Sequence, residues 1–389
     1  MTDHHTVPSP FRHAVRPLDA PDPARACLRT AGPLVQLDAP AGGPVWVVTD
    51  AALARQVLAD SSFAKDPALA PPGWDRRSAG LEPSAAEQAS VTTLDGSQHA
   101  ALRKTFAPLF SAQRMHSAYG RMRAIAHRLL ADSATEPVDL VADFSIRYPL
   151  TILCDLLGVP AERVDDGISA CRLMHVDYPA HVGEAMTGFA ALADAALACD
   201  GGLARELAER LPPGSGAGDL GYHVFTLLYA GQLTTDPAIG FLVARLLNDS
   251  GTLDHAALVR DTLAEHPPAP FSLWRFTTTD LELAGTALPA RSPVLVDIEG
   301  INSLLGPDEK NLTFGAGPHY CIGAQLAQLE LQALAETLTA DYPDARLLVP
   351  YADLRLHSPG GIMGSRLTTL PIVLTPNLRR RAIEDMFGS

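Results

Sequence analysis

The stretch Phe314-Gly315-Ala316-Gly317-Pro318-His319-Tyr320-Cys321-Ile322-Gly323 decides how the rest of the chain is interpreted. An amphipathic pattern follows at once and predicts a helix from Ile322 to Ala340. The glycines allow the backbone to turn and to approach a flat group closely, where a side chain would collide. Cys321 is therefore predicted just before a helix N-terminus, whose N–H groups and dipole lower a thiol pKa and stabilise the thiolate.

Cys321 in this setting is a candidate metal ligand. A soft thiolate is suited to bind heme iron axially, and its electron donation favours O–O cleavage. From residue types alone, the alternative is a free, buried cysteine beside a glycine-rich turn. The spacing of His319 and the glycines around Cys321 favours the iron ligand.

Composition limits the classes of partner. A net charge of −14 with scattered Lys and Arg gives no basic face for phosphate, so neither nucleic acid nor a membrane surface is expected to bind. No apolar run approaches the roughly 20 residues that span a bilayer, and residues 1–17 lack an apolar signal core. We expect a cytoplasmic protein that acts on small molecules or on other proteins.

The cysteine pattern argues against a disulfide framework or a zinc site. The cysteines contain no CxxC pair and are odd in number, being Cys27, Cys154, Cys171, Cys199 and Cys321. Apart from Cys321, they are expected to be buried as small hydrophobic residues.

Periodicity predicts a mainly α chain. Apolar residues recur at helical spacing over residues 99–110, 117–130, 145–157, 183–211, 220–247 and 322–340. Alternating patterns predict strands over residues 44–48, 281–283, 293–298 and 369–374. Asp50 is a natural N-cap for a helix over residues 51–58. Because no linker divides the chain, we expect one domain over residues 1–389, helical with small sheets at its edge.

The cysteine loop resembles the signature of the cytochrome P450 family, FGxGxHxCxG before a long helix, and the similarity extends over most of the chain. The resemblance implies a mainly α, single-domain fold with small peripheral β-sheets. It also implies that Cys321 binds the iron of heme b (iron protoporphyrin IX). The implied activity is a monooxygenase-type oxidation of a small organic molecule in specialised metabolism, with electrons supplied by a ferredoxin and a ferredoxin reductase.

Further matches to the family are carried over residue by residue. His99, Arg103, Arg275 and His319 resemble the residues that bind the heme propionates, and two buried carboxylates do require such partners. Phe314 and Gly315 belong to the heme loop. The segment Tyr229-Ala230-Gly231-Gln232-Leu233-Thr234-Thr235 resembles the helix across the distal heme face, where Ala230 and Gly231 leave room for a ligand. Thr234 would be the catalytic hydroxyl that hydrogen-bonds bound oxygen.

The resemblance also indicates where a substrate would bind. The regions concerned are residues 66–89, 174–183, 227–234, 271–274 and 362–363. The candidate substrate contacts are Trp74, Leu227, Leu233, Phe271, Leu273, Ile362 and Met363. None of these residues identifies the substrate.

The sequence departs from the family pattern in three places. Leu233 replaces the acid that usually precedes the distal threonine, which removes a proton donor from the expected site of O–O cleavage. The expected ExxR pair aligns with Asp261-Thr262-Leu263-Ala264, so its arginine is absent and Asp261 is expected to have no partner. The following loop, which usually supplies a second arginine, is cut to residues 302–310. Losing both arginines together avoids an unpaired buried charge.

Two alternative functions follow from these departures. One is a P450-like auxiliary protein that stabilises a partner enzyme such as a glycosyltransferase, although the intact Cys321 loop argues against it. The other is a heme enzyme that uses peroxide or non-hydroxylating chemistry, which Leu233 favours. In that case, turnover with generic redox partners should be weak or uncoupled.

Overall fold

The computed structural model describes residues 8–75, 89–133, 137–176, 181–212, 216–249, 254–306 and 309–376. The α-helices in these ranges are α1 Pro23–Ala31, α2 Ala51–Ala59, α3 Gly96–Phe106, α4 Ala112–Asp132, α5 Arg147–Leu157, α6 Val164–Val176, α7 Val182–Leu197, α8 Gly202–Arg210, α9 Ala217–Asn248, α10 His255–Glu265, α11 Ile298–Asn302 and α12 Ala324–Asp341. The predicted mainly α fold with small sheets is confirmed.

The strands are short and form small sheets. They are β1 Ala14–Pro17, β2 Leu34–Asp38, β3 Pro44–Val48, β4 Phe63–Ala64, β5 Val138–Asp139, β6 Arg275–Thr277, β7 Leu281–Leu283, β8 Thr286–Leu288, β9 Pro293–Val296, β10 Arg346–Leu347, β11 Arg355–Ser358, β12 Arg366–Leu367 and β13 Pro371–Val373. The largest sheet has the order β2-β3-β9-β6-β4, and the others are β1-β11-β12, β10-β13-β5 and β7-β8. Within the largest sheet, β3 and β9 are parallel.

Aspartate side chains begin several helices by accepting hydrogen bonds from backbone N–H groups that lack a helical partner. Asp50 accepts from the N–H of Leu53 at 2.8 Å and begins α2, as the sequence predicted. Asp297 accepts from the N–H of Gly300 at 3.1 Å and begins α11. That capping stops strand β9 at Val296, two residues before the predicted end.

The main hydrophobic core lies among the helices. Buried side chains of α4, α5, α7, α9 and α12 form one cluster, which we call the helical core. A second cluster lies against the largest sheet and includes Phe271, Trp274 and Ile362. We call it the sheet core. Because α9 crosses the helical core, most of its side chains are buried on more than one side.

Two sequence expectations are corrected by the fold. The helix predicted over residues 183–211 is two helices, α7 and α8, because the chain turns at Gly201 and Gly202. Gly202 has a φ of +82°, which favours glycine. Cys27 is exposed and Cys199 is half-buried, so only Cys154 and Cys171 have the burial expected of the cysteines outside the loop. None of the described helices is both long and apolar enough to cross a membrane.

Candidate functional site

The loop before α12 is held in shape by its own backbone. The N–H of Gly315 donates to the carbonyl of Leu312 at 2.8 Å, and the N–H of Cys321 donates to the carbonyl of Phe314 at 2.9 Å. Gly315 has a φ of +72°, in the left-handed region that side chains disfavour. The turn at Gly315 therefore depends on glycine, and it brings Cys321 back beside Phe314.

Gly317 has a different role from the one that the sequence suggested. A Cβ atom at this position would lie 2.7 Å from the carbonyl oxygen of Leu58 and 3.0 Å from the Cα of Ala59, both in α2. The first distance is shorter than real Cβ contacts, so the backbone of the loop or of α2 would have to shift. The glycine thus allows the loop to pack directly on the C-terminal end of α2.

Cys321 is an exposed residue, but protein atoms surround part of its thiol. That surrounding raises the pKa of the Cys321 thiol, because desolvation disfavours the thiolate. The N–H groups of Gly323 and Ala324 and the charge of Arg103 lower the pKa, as the sequence predicted for a helix N-terminus. The net direction is upward, which corrects that prediction.

Two histidines and an arginine lie beside the Cys321 loop. The rings of His99 and His319 are 4.0 Å apart between centroids. His319 Nε2 is 3.1 Å from Asp95 Oδ1. Arg103 Nη2 donates to the carbonyl of Tyr320 at 2.5 Å, next to the candidate ligand. The structure therefore brings together three of the four predicted propionate contacts.

The fourth predicted contact, Arg275, is buried in the same region. Its Nη1 and Nη2 donate to the carbonyls of Phe63 at 2.9 Å and Leu58 at 3.2 Å. Lys65 lies near it, and its backbone N–H donates to Asp95 Oδ2 at 2.6 Å. Burial, followed by repulsion from Arg275, lowers the pKa of Lys65 to about 7. We call Lys65, His99, Arg103, Arg275 and His319 the basic cluster.

Sequence analysis missed two members of this arrangement. Asp95 stands one helical turn before His99, and that spacing is a signal that could have identified it. Lys65 follows β4 and carries no local signal, because the fold alone places it near Arg275.

The basic cluster fits an anionic group. His99 Nε2 and Arg275 Nε are buried and have no hydrogen-bond partner among the described residues. Burial, with repulsion from His319 and Arg103, lowers the pKa of His99 to about 4. Asp95 is the carboxylate that the described residues place in the cluster, and it is already shared by His319 and Lys65. A group with two carboxylates beside Cys321 would supply the missing acceptors, and heme has these features.

One face is open in the middle of α9, where most neighbouring side chains are buried. Ala230 and Thr234 are exposed and Leu227 and Gly231 are half-buried, at the i, i+3, i+4 and i+7 spacing of one helical face. Gly231 also makes room for α5, because a Cβ atom there would lie 3.0 Å from the side chain of Leu153. The face that the sequence assigned to the distal side is thus the open one.

Thr234 and Pro237 alter the hydrogen bonding of α9 at this face. Thr234 Oγ1 donates to the carbonyl of Ala230 at 2.7 Å. Pro237 lies inside the helix and has no N–H, so it cannot donate to the carbonyl of Leu233. A backbone acceptor next to Thr234 therefore lacks its helical donor.

The predicted substrate contacts differ in exposure. Leu273 is 37% exposed, whereas Phe271 and Ile362 are buried in the sheet core and Leu233 is buried in the helical core. Trp74 and Met363 are half-buried. Residues 76–88 and 177–180 of the two predicted substrate loops lie outside the described residues.

The helix that aligns with the ExxR pair is α10. The sequence predicted that Asp261 has no partner, and this is wrong. Its Oδ1 is 3.0 Å from Nε of Arg260. Both side chains are about half exposed. Asp261 therefore forms a surface ion pair and leaves no unpaired charge in the core.

Comparison with known proteins shows which of them this chain resembles. The chain matches no family model. It is 38% identical to the cytochrome P-450 monooxygenase DoxA of Streptomyces sp. strain C5, over 89% of this chain and 93% of that protein. It is 30% identical to the vitamin D(3) 25-hydroxylase of Pseudonocardia autotrophica, over 92% and 94% of the two chains.

A solved structure shows the same similarity at the level of the fold. The cytochrome P450 MoxA from Nonomuraea recticatena has a TM-score of 0.79 and 27% identity, over 92% of this chain and 96% of that one. The chain belongs to the cytochrome P450 family. It is a monooxygenase-type oxidoreductase for a small organic molecule of specialised metabolism, and its relatives imply a heme-thiolate cofactor.

Glu330 of α12 is a buried acid that sequence analysis did not single out. Its Oε1 accepts from Thr235 Oγ1 of α9 at 2.9 Å, and its Oε2 has no partner among the described residues. Burial raises the pKa of Glu330 to about 8, although the hydrogen bond from Thr235 opposes the shift. The native protein therefore holds a proton on this carboxyl at neutral pH.

We predict that Glu330 makes the protein less stable as the pH rises from about 4.5 to about 8. The folded pKa is raised above the ordinary value of 4.5, so the native state binds more protons than the unfolded state in this interval. Glu330→Gln should remove a slope on the order of 1 kcal/mol per pH unit from the free energy of unfolding. Urea unfolding of the heme-free protein at several pH values measures this slope.

Glu282→Gln is the control, because Glu282 is exposed on β7. It should leave the slope of the wild type unchanged. A slope in Glu330→Gln equal to that of the wild type would contradict the protonated, buried carboxyl.

Proposed function

We propose that residues 1–389 act as one cytochrome P450 unit, which binds heme b through Cys321 and hydroxylates a small, largely apolar molecule. The observation that carries this proposal is the Cys321 loop beside a basic cluster in which two buried nitrogen atoms have no hydrogen-bond partner among the described residues. When bound, a thiolate-ligated heme supplies the activation of oxygen that amino-acid side chains cannot provide.

The residues of this chain would hold the cofactor in defined roles. His99, Arg103, Arg275 and His319 would bind the propionates through charge-assisted hydrogen bonds. Phe314, Gly315, Ala230 and Gly231 would contact the macrocycle. Cys321 would be the metal ligand, and coordination to iron would hold it as the thiolate despite the desolvation that raises its pKa.

Thr234 would handle protons during the reaction. Its hydroxyl is exposed and donates to the Ala230 carbonyl, so a rotation about one bond lets Oγ1 donate elsewhere. Leu233 cannot pass a proton to it, since its side chain is apolar and buried. The Leu233 carbonyl, which receives no bond from Pro237, can instead order a water or a substrate hydroxyl beside Thr234.

The substrate would be recognised mainly by apolar contact. Leu227 and Leu273 are accessible enough to touch it, and Trp74 and Met363 are half-buried. Leu233, Phe271 and Ile362 would act from the buried layer behind these residues. Among the relatives are the vitamin D(3) 25-hydroxylase and a 2-hydroxy-5-methyl-1-naphthoate 7-hydroxylase, whose names support hydroxylation of a small carbon skeleton.

Electrons would come from a ferredoxin and a ferredoxin reductase. The cytoplasmic location expected from the sequence stays a prediction, as does the absence of nucleic acid or membrane partners. Use of peroxide remains the second candidate, because Leu233 offers no acid at the distal threonine. The auxiliary-protein alternative has no comparable support, since the full set of predicted heme contacts is present.

We predict that the purified protein is red and that its reduced carbon monoxide complex has the red-shifted Soret band of a thiolate-ligated heme. Cys321→Ala should abolish that band, because no other side chain would supply the thiolate. Cys27→Ala, at an exposed cysteine outside the loop, should keep it. A wild-type protein that stays colourless after expression with ample heme would refute the proposed function.

We predict that His99→Phe lowers heme retention without lowering the stability of the heme-free protein. Phenylalanine keeps an aromatic ring and removes a buried Nε2 that has no partner in the described part of the chain, so the apo-protein loses no hydrogen bond seen at this atom. The heme loses one donor, and its transfer to an acceptor protein should be roughly three- to tenfold faster.

His116→Phe on the exposed side of α4 serves as the control for heme transfer. Equal transfer rates for His99→Phe and His116→Phe would exclude His99 from the heme site. A large loss of apo-protein stability in His99→Phe would mean that the residue is structural.

We predict weak coupling with a generic ferredoxin system. Because Leu233 lacks a titratable group, product formed per NAD(P)H consumed should be low, and hydrogen peroxide should support a larger share of the activity. The measurement needs the native substrate or a surrogate that shifts the heme spectrum. Tight coupling that peroxide cannot match would show that the Leu233 carbonyl, Thr234 and ordered water form a sufficient proton route.

A further inference from the structure

The C-terminal end of α10 lies where the family pattern would have its ExxR ion pair. Ala264 stands at the position of the arginine, and Asp261 is turned to the surface. The carbonyls of Leu263 and Ala264 lie in the last turn of the helix, so they have no N–H partner within it. Because the region is largely buried, donors outside the helix must form hydrogen bonds with these carbonyls.

Two neutral side chains do so. Asn302 Nδ2 donates to the Ala264 carbonyl at 3.3 Å and to Thr313 Oγ1 at 3.1 Å. Thr313 Oγ1 in turn donates to the Leu263 carbonyl at 3.0 Å. The hydroxyl of Thr313 thus accepts one hydrogen bond and donates one, which its single proton allows.

The same pair is joined to the cysteine loop. Asn302 Oδ1 accepts from the N–H of Leu312 at 2.8 Å. The Leu312 carbonyl accepts from the N–H of Gly315 at 2.8 Å, at the left-handed turn that begins the loop. A continuous set of hydrogen bonds therefore runs from α10 through Asn302 to the turn that leads to Cys321.

The shortened loop makes this connection possible. Asn302 ends α11, and only residues 303–312 separate it from Thr313. Glu309 Oε2 accepts from the N–H of Gly306 at 2.8 Å, and Arg55 of α2 donates to the Lys310 carbonyl. These contacts fix the middle and the C-terminal part of the loop, which leads to Thr313.

We propose that Asn302 and Thr313 form a neutral latch that positions the Cys321 loop on α10 in place of the charged ExxR pair. This role rests on the proposed function, because the latch would hold the proposed iron ligand in place. Burying two neutral groups that satisfy each other costs less desolvation than burying an ion pair. Asn302 is only 7% exposed, so water cannot readily replace its bonds. Asn302 and Thr313 are positioning residues.

The test uses Thr313→Val, which keeps the shape of the side chain and removes the hydroxyl. In the heme-loaded protein, the thiolate-type Soret band of the carbon monoxide complex should be lost roughly three- to tenfold faster than in the wild type. Thr313→Ser restores the hydroxyl and should restore the wild-type rate. Asn302→Ala should act in the same way as Thr313→Val, and the double variant should fall short of the sum of the two changes because they share one bond.

Thr187→Val is the matched control. Thr187 is exposed on α7, and its hydroxyl donates to the Gly183 carbonyl of the same helix at 2.9 Å. It should leave the decay of the band unchanged. Equal decay in Thr313→Val and Thr187→Val, or no rescue by serine, would overturn the latch.

A second measurement does not depend on heme. Hydrogen exchange in the heme-free protein should be faster for the N–H groups of Leu312, Gly315 and Cys321 in Thr313→Val, and unchanged in Thr187→Val. If the wild type formed no thiolate complex, the proposed function would fail, yet this exchange would still decide whether the latch holds the loop. Unchanged exchange in Thr313→Val would reject it.

Discussion

The structure depends most on a concentration of positive charge beside Cys321. Five basic residues converge there from segments far apart in the chain, and the described residues supply Asp95 as the carboxylate among them. Burial lowers the pKa values of Lys65, His99 and Arg275, and repulsion from neighbouring basic side chains adds to the shift at Lys65 and His99. Such an arrangement is costly for a protein without an anionic ligand, and it becomes favourable when two carboxylates enter it. The site is therefore complementary to heme rather than to a neutral molecule.

Cys321, the proposed iron ligand, is positioned by the backbone more than by side chains. Gly315 permits the left-handed turn, Gly317 permits contact with α2, and hydrogen bonds to Phe314 and Leu312 close the loop. Asn302 and Thr313 then connect this loop to α10. Neutral groups can thus support a loop of this type. The requirement is that the last carbonyls of α10 and the turn at Gly315 have hydrogen-bond partners at the same time.

The proposed distal side differs from the family pattern in the group that could deliver protons. Family analogy assigns proton delivery to a side chain next to Thr234, yet here that side chain is the buried Leu233. Two other polar side chains in this part of α9 are buried away from the open face. Thr235 donates to Glu330, and Gln232 has no partner among the described residues. Pro237 leaves the Leu233 carbonyl without its helical donor at the same level. In the proposed reaction, the Leu233 carbonyl and an ordered water are therefore better placed than a side-chain acid to support proton transfer at Thr234.

The sequence by itself determined the features that are encoded locally. The order of glycines around Cys321, the Asp50 cap of α2 and the 3.6-residue periodicity of α9 and α12 each involve residues close in the chain, so their consequences could be predicted. The spacing of His99 and Arg103 predicted their shared helical face for the same reason. Even the loss of both ExxR arginines could be interpreted, because an unpaired buried charge is costly whatever the fold.

Only the tertiary structure decided the features that depend on distant segments meeting. Packing brings Lys65, Asp95 and His319 together, and the contacts of Asp95 with Lys65 and His319 join residues that are far apart in the chain. The same holds for the approach of Gly317 to α2, the surface pairing of Asp261 and the meeting of Asn302 with Thr313 at the end of α10. The pKa of Cys321 shows the physical reason most clearly. Its helix-end donors are local and lower the pKa, but desolvation is set by everything that packs around the sulfur, and it outweighs them.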